Sequence, residues 1–87
     1  MNTKTQENKR NFAIRRIINA LKNGRVLSFY DGREFGVSEM HTCFCIIRQK
    51  IRDGKIPGYV MKDEWRTDYD EFVGVRYKIY WFEDGQN

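Results

Sequence analysis

The segment EFGVSEMHT, residues 34–42, combines a turn with the start of a helix. Gly36 is a typical turn residue, and Ser38 belongs to the residue types that favour helix N-caps. Beyond the segment, apolar residues recur at the spacing of one helical face, at Met40, Phe44, Ile47 and Ile51. The breakers Asp53-Gly54 end this pattern. We therefore predict that a turn leads into a helix over residues 39–52.

The opposite side of this predicted helix is polar. At about 100° per residue, the four apolar side chains fall within about 60° of one another. The other side carries Thr42, Cys45, Gln49 and Arg52, flanked by His41 and Arg48. One face of the helix should therefore pack against the rest of the chain, while the other is free to contact a partner.

A second amphipathic pattern precedes the turn. From about Lys9, apolar residues recur at helical spacing, at Ile14, Ile17, Ile18 and Leu21. Asn23-Gly24 supplies a C-terminal stop. Residues 25–27 are then short and apolar enough for an edge strand or an extended connector. This part of the chain predicts a first helix followed by a short strand.

Two structures are compatible with the next segment. Ser28 can cap a short second helix over residues 29–35, which Gly32 weakens by about 1 kcal/mol relative to alanine. The alternative is a turn in which the aromatic side chains of Phe29 and Tyr30 pack inward.

The C-terminal third predicts a β-hairpin. A cluster of helix breakers, residues 53–58, contains the only proline of the chain. Two runs of alternating, strongly β-forming residues follow, at 59–65 and 75–82. The acidic stretch 67–71 is predicted to be the exposed loop between them. We expect four side chains of the second run to cover the first and third helices, namely Val75, Tyr77, Ile79 and Trp81.

These elements predict one α+β domain with three helices. Its limits are expected at residues 9–82, between a flexible N-terminal tail, residues 1–8, and a flexible C-terminal tail, residues 83–87.

Cys43 and Cys45 point about 200° away from one another on a helix, so they cannot form a disulfide there. Reduced thiols, with no apolar segment suited to a signal peptide or a membrane span, favour a cytoplasmic protein without membrane contact.

Charge is distributed unevenly along the chain. Residues 1–58 contain 12 Lys or Arg and 5 Asp or Glu, a balance of +7, whereas residues 59–87 contain 4 and 7, a balance of −3. A basic helical half is suited to contacts with nucleic-acid phosphates, and a solvated surface without a partner is the alternative. Acidic residues oppose such contacts at Glu39 and in the predicted hairpin loop.

Four stretches together resemble the small helix-turn-helix proteins that are common in phages and mobile elements. They are IINALKNGRVLS (17–28), EFGVS (34–38), IRQKIRDGKIP (47–57) and VRYKIY (75–80). The resemblance implies a winged helix-turn-helix fold, in which three helices and a short strand precede a two-stranded C-terminal wing. It also implies binding of double-stranded DNA, mostly in transcriptional or mobile-element regulation.

The third helix would then read DNA sequence from the major groove. By position in the family, Gly36 is the turn glycine and Ser38 the cap of the recognition helix. The residues expected to contact bases are Ser38, His41, Thr42, Cys45 and Gln49. The residues expected to contact phosphates are Arg25, Arg33, Arg48, Lys50 and Arg52.

Metal and catalytic sites have less support in the sequence. His41, Cys43 and Cys45 are potential zinc ligands, but on a helix Cys43 points away from the other two, and the sequence holds no further Cys or His. We therefore predict no metal and no cofactor, with Cys43 in the core. The sequence also contains no phosphate-binding glycine loop and no nucleophile elbow, which predicts that the protein is not an enzyme.

A protein-interaction module is the alternative function. The acidic hairpin and its aromatic residues would form a docking patch, either for a homodimer or for a host protein that this chain inhibits. The aromatic residues in question are Tyr69, Phe72, Tyr80 and Phe82.

Overall fold

The computed structural model describes the backbone of residues 3–69 and 74–85. Its elements are α1 (Thr3–Lys22), β1 (Leu27–Ser28), a 3₁₀ turn (Phe29–Asp31), α2 (Gly32–Phe35), α3 (Met40–Arg52), β2 (Tyr59–Tyr69) and β3 (Gly74–Asp84). The described residues form an α+β fold with three α-helices and one three-stranded antiparallel sheet. This general class and the order of elements agree with the prediction from sequence.

α1 begins ahead of the amphipathic pattern that predicts it. The helix starts at Thr3 rather than near Lys9. The intervening residues include no proline or glycine, and they contain Gln, Glu and Lys, which are good helix formers, so the helix propagates through them. The inward face is formed by Ala13, Ile14, Ile17 and Leu21, all of which are buried. A helical backbone therefore occupies most of the segment 1–8.

The segment after β1 divides into the 3₁₀ turn and α2. Ser28 caps the turn, since its Oγ accepts a hydrogen bond from the Tyr30 amide at 3.2 Å and its own amide donates to Asp31 Oδ2 at 2.7 Å. The alternative to a helix here is a turn with Phe29 and Tyr30 packed inward; the turn is present, but its inward packing is wrong, because these side chains are 51% and 56% exposed. The reciprocal cap holds the backbone in a turn that directs both rings towards solvent.

α3 packs with the face that the sequence predicts. Its buried residues are Met40, Cys43, Phe44 and Ile47, and Ile51 is half-buried. Gly36 ends α2 with a φ of +73°, as expected of a turn glycine. Ser38, however, does not cap α3. The helix starts at Met40, so the cap position falls to Glu39, whose side chain makes no capping hydrogen bond.

The sheet has the strand order β1-β3-β2. β2 and β3 pair along their whole length, from Tyr59 opposite Asp84 to Tyr69 opposite Gly74, and we call this pair the hairpin. β1 pairs with β3 through Leu27, which lies opposite Tyr80. The expected two-stranded wing is thus part of a three-stranded sheet. The predicted loop was too long, because β2 continues through residues 67–69.

The two faces of β3 are the reverse of the sequence prediction. Val75, Tyr77, Ile79 and Trp81 do not cover the helices, since the buried residue of β3 is Tyr80. Tyr80 stacks on Phe44, and Phe82 packs beside Tyr59, with ring centroids 5.4 Å apart. Both alternating sets of β3 contain apolar residues, so a period of two predicts the strand without showing which face is buried.

The alternation of side chains defines two faces of the hairpin. The inner face, which contacts the helices, carries Met61, Asp63, Trp65 and Thr67 of β2 and Arg76, Lys78, Tyr80 and Phe82 of β3. The outer face carries Val60, Lys62, Glu64, Arg66 and Asp68 of β2 and Val75, Tyr77, Ile79 and Trp81 of β3.

Among the described residues, no helix is long and apolar enough to cross a membrane.

Candidate nucleic-acid interface

An open groove lies between α3 and the inner face of the hairpin. Phe44 and Tyr80 fix the two elements together, with ring centroids 4.0 Å apart and an interplanar angle of 23°. Beside this contact is a groove of about 440 Å³, which we call the α3–hairpin groove. Its walls include Ser38 and His41 at the start of α3 and Trp65, Arg76 and Lys78 on the hairpin.

Trp65 forms an aromatic platform in this groove. Its side chain is 53% exposed, which is high for so large an apolar residue. Lys78 lies directly opposite it in the strand register, with Nζ 5.2 Å from the ring, and Arg76 lies diagonally, with Cζ 4.7 Å from the ring. Cation–π contacts at these distances hold both charges beside an exposed ring.

An ion pair joins α3 to the base of the hairpin. Arg48 Nη2 lies 2.6 Å from Asp63 Oδ2, and Lys78 Nζ lies 3.9 Å from the other oxygen of the same carboxylate. Asp63 therefore partly neutralises both cations. The sequence prediction treats Arg48 as a phosphate ligand, whereas in the structure its side chain links α3 to β2 through Asp63.

The acidic residues of the hairpin lie mainly away from the groove. On the outer face, Glu64 accepts a hydrogen bond from Arg66 Nε at 2.9 Å, and Asp68 accepts one from the Tyr77 hydroxyl at 2.9 Å. This hydrogen bond to Asp68 raises the pKa of Tyr77. Because successive side chains alternate between the faces, Glu64 and Asp68 point away from the cations around Trp65, whereas Asp63 is on the same face as these cations.

Glu39, the acidic residue at the start of α3, has a cationic partner. Arg10 Nη2 of α1 lies 3.6 Å from Glu39 Oε2. Both side chains are more than half exposed, so the pair is weak, but it places a positive charge beside the carboxylate. The repulsion that Glu39 would exert on a phosphate is reduced accordingly.

The predicted base-contact residues differ in accessibility. Ser38, His41, Cys45 and Gln49 are exposed, whereas Thr42 is half-buried. His41 Nε2 lies 3.7 Å from Cys45 Sγ, one helical turn away, and Gln49 Nε2 donates to Asp53 at 3.1 Å. Ser38 and His41 also border the α3–hairpin groove. The exposed side of α3 thus continues into the groove.

The predicted phosphate-contact residues do not form one cluster. Arg25 makes two hydrogen bonds to the Glu34 carboxylate, one of them 2.8 Å long, and this contact lowers the pKa of Glu34 and raises that of Arg25. Arg33 and Arg52 are exposed, and Lys50 is half-buried on the side of α3 that faces α1. Arg25 therefore braces α2, while Arg33 and Arg52 remain accessible to a ligand.

Cys43 is a core residue and contributes nothing to a surface metal site. Its side chain is 2% exposed, and desolvation by burial raises the pKa of its thiol. A zinc ligand must be a thiolate, so this environment disfavours metal binding. In the described part of the chain, no three His, Cys, Asp or Glu side chains are grouped as metal ligands.

Two of the four aromatic residues expected in a protein-docking patch face inward. Tyr80 is 8% exposed, and Phe82 is half-buried in contact with the core. The prediction that they are exposed is wrong because it rests on the reversed faces of β3. The side chain of Tyr69 and the whole of Phe72 lie outside the described residues.

Sequence reasoning did not identify Trp65, Arg76 and Lys78 as one cluster. The residues are in different strands, and they meet only because Trp65 pairs with Lys78 in the register. The alternation of β3 already places Arg76 and Lys78 on one face, which was the available signal. The β2 residue that lies opposite Lys78 depends on the register of the two strands. A predicted loop at residues 67–71 gives the wrong register.

Searches against protein-family models, curated proteins and solved structures each found no match for this chain.

Proposed function

We propose that the chain is a winged helix-turn-helix protein that binds double-stranded DNA, as a phage or mobile-element regulator. In this proposal α3 enters the major groove and the hairpin is the wing. The observation that carries it is the α3–hairpin groove, where the exposed polar side of α3 meets the cations around Trp65. The order of helices and strands along the chain is also the one that the family resemblance implies.

The dimensions of α3 suit this role. Its 13 residues span about 20 Å at 1.5 Å per residue, and the major groove of B-DNA, about 12 Å wide, admits one α-helix. The exposed residues His41, Cys45 and Gln49 would face base edges, with Ser38 and the half-buried Thr42 near the helix start. Arg33 and Arg52 would contact phosphates from outside the groove.

The hairpin would contact the backbone strand beside α3. Arg76 and Lys78 provide the charge, and the Trp65 ring provides a flat surface against deoxyribose. Among the described acids of β2, Glu64 and Asp68 are on the outer face, and Asp63 on the inner face is paired with Arg48 and Lys78. Phosphate contacts of this kind give affinity without sequence preference.

The Arg76→Ala/Lys78→Ala double variant tests the wing contact. Loss of two phosphate contacts should make the slope of log K against log salt concentration less negative by about 1.8, since each contact contributes roughly 0.9. Fluorescence anisotropy of a labelled duplex of about 20 base pairs, between about 50 and 200 mM salt, measures this slope. Circular dichroism confirms that the variant is folded.

The matched control is Lys62→Ala/Arg66→Ala, which removes the same charge from the outer face of β2. Its slope should stay close to that of the unaltered protein, because these side chains face away from α3. Equal slopes for the two double variants would contradict the wing contact. If the unaltered protein does not bind duplex DNA at low salt, the proposed function is wrong.

Gln49→Ala tests whether α3 reads bases. A glutamine can make two hydrogen bonds to adenine, and losing such a pair reduces discrimination by about 1–3 kcal/mol. Selection from a randomised duplex library should give a relaxed preference at one position, while the salt slope remains unchanged. Lys62→Ala is the control, and its selected sequence should match that of the unaltered protein. An unchanged preference in Gln49→Ala would exclude Gln49 from base contact.

A further inference from the structure

A second groove lies between α1 and α3, on the flank of α3 away from the hairpin. Its volume is about 410 Å³, and we call it the α1–α3 groove. Four cationic side chains surround it, Arg15 and Lys22 of α1, Lys50 of α3 and Lys55 beyond its end. Two amides, Asn11 and Asn19, also border it, and none of the residues lining it is acidic.

The two helices run in the same general direction beside this groove. Arg10 of α1 pairs with Glu39 at the start of α3, and Lys22 at the end of α1 lies near Lys55, just after α3. The groove follows the length of α1 and borders α3 near its C-terminal end, at Lys50. It extends from Asn11 to Lys22 on the α1 side.

Five of the other eleven cations with described side chains differ from these four in having a carboxylate partner. Arg10, Arg25, Arg48, Arg66 and Lys78 each lie within 4.0 Å of a carboxylate oxygen. Within residues 9–68 and 74–85, no such ion pair is formed by Arg15, Lys22, Lys50 or Lys55. Like charges that share a groove without counter-charges repel one another, and an external polyanion relieves that repulsion.

Helix dipoles account for only part of the cluster. Lys22 and Lys50 are in the last turns of α1 and α3, where a cation is stabilising. Arg15 is in the interior of α1 and Lys55 follows α3, so neither gains from this effect. Of the three isoleucines that line the groove, Ile14 and Ile56 are only 3% and 5% exposed, and Ile18 is half-buried. All charged groups that line the groove are cations.

We infer that the α1–α3 groove binds the phosphate backbone of a DNA strand, namely the strand across the major groove from the one that the hairpin contacts. This inference rests on the proposed function. On a helical wheel, Lys50 and Arg48 project about 200° apart, so the two grooves flank α3 on opposite sides. A helix in the major groove has one phosphate strand on each side of it, and each flank of α3 then meets one strand.

The Arg15→Ala/Lys55→Ala double variant tests this inference. Both residues are exposed and neither is in the last turn of a helix, so the fold should be retained, as circular dichroism will show. We expect the slope of log K against log salt to become less negative by about 1.8 for a labelled random-sequence duplex. Lys62→Ala/Arg66→Ala, which also removes one lysine and one arginine, should leave the slope unchanged.

The outcomes separate this inference from the function on which it rests. If Arg15→Ala/Lys55→Ala and Lys62→Ala/Arg66→Ala give the same slope while the unaltered protein binds the duplex, the α1–α3 groove does not contact DNA and the proposed function stands. If the unaltered protein does not bind duplex DNA at low salt, the proposed function fails, and this inference fails with it. A slope change confined to Arg15→Ala/Lys55→Ala supports the second backbone contact.

Discussion

Replacing Phe44 by alanine will lower the free energy of unfolding by about 3–5 kcal/mol. Phe44 is 2% exposed, and its ring stacks on Tyr80, which joins α3 to the central strand of the sheet. Truncation removes the apolar burial and leaves a cavity that the surrounding side chains fill only in part. Small domains have stabilities of about 5–15 kcal/mol, so this single change removes a large fraction of the total. Urea unfolding followed by circular dichroism measures it.

Phe12→Ala provides the matched control. The Phe12 ring is 58% exposed on α1, so the same truncation there should cost less than about 1 kcal/mol. A Phe44→Ala variant as stable as Phe12→Ala would contradict the packing of α3 against the hairpin. It would also contradict the α3–hairpin groove, since the contact between Phe44 and Tyr80 forms its base.

Phe44 has a functional consequence beyond stability. The stacking with Tyr80 and the ion pair between Arg48 and Asp63 are two of the contacts that join α3 to the hairpin. In the proposed complex the distance from α3 to the hairpin must match the separation between the bases and the phosphates beside them. Destabilising either contact should therefore weaken DNA binding even though neither Phe44 nor Asp63 is proposed to touch DNA.

The helical half of the fold follows from local signals in the sequence. α1 and α3 have apolar stripes at helical spacing, Ser28 caps the 3₁₀ turn that leads into α2, and a glycine with positive φ follows each helix, at Gly24, Gly36 and Gly54. These signals depend only on residues within one or two turns of the chain. They predict the order of the helices, and the N-terminal extension of α1 is missed because polar residues carry no periodic apolar signal.

The sheet is less predictable because its register depends on residues that are distant in sequence. Tyr80 and Trp81 are both large and apolar enough to face the core, and only the packing against Phe44 distinguishes them. The same distinction places Arg76 and Lys78 beside Trp65 rather than on the outer face. The part of the candidate site on α3 could therefore be named from sequence, whereas the part on the hairpin could not.

The charge on each face of the hairpin is also poorly predicted by counting charged residues along the sequence. The sequence count gives an acidic C-terminal third and thus argues against contact between the hairpin and DNA. In the folded chain, Asp63 is paired with Arg48, while Glu64 and Asp68 lie on the outer face. A net charge taken along the sequence averages over two faces that a ligand meets separately. The inner face, which is the one relevant to the proposal, is cationic around Trp65.

Replacing Gly32 by alanine should destabilise the protein by about 1–3 kcal/mol, although helix propensity alone predicts a gain of about 1 kcal/mol. Gly32 is in a right-handed helical conformation, so its backbone does not require glycine. A Cβ at this position, however, would lie 2.5 Å from the carbonyl oxygen of Val37. The Val37 amide donates to the Gly32 carbonyl at 2.9 Å, so the backbone cannot retreat without weakening this bond.

Urea unfolding distinguishes destabilisation by steric overlap from stabilisation by helix propensity, because the two change the free energy of unfolding in opposite directions. Arg33→Ala is the control, because Arg33 is the next residue of α2 and is exposed, and its replacement should alter stability by less than about 0.5 kcal/mol. A stabilised Gly32→Ala would show that the turn between α2 and α3 is looser than this contact requires. A destabilised variant would show that close packing at this turn positions α3, and DNA binding by Gly32→Ala should then weaken at salt concentrations where the variant remains folded.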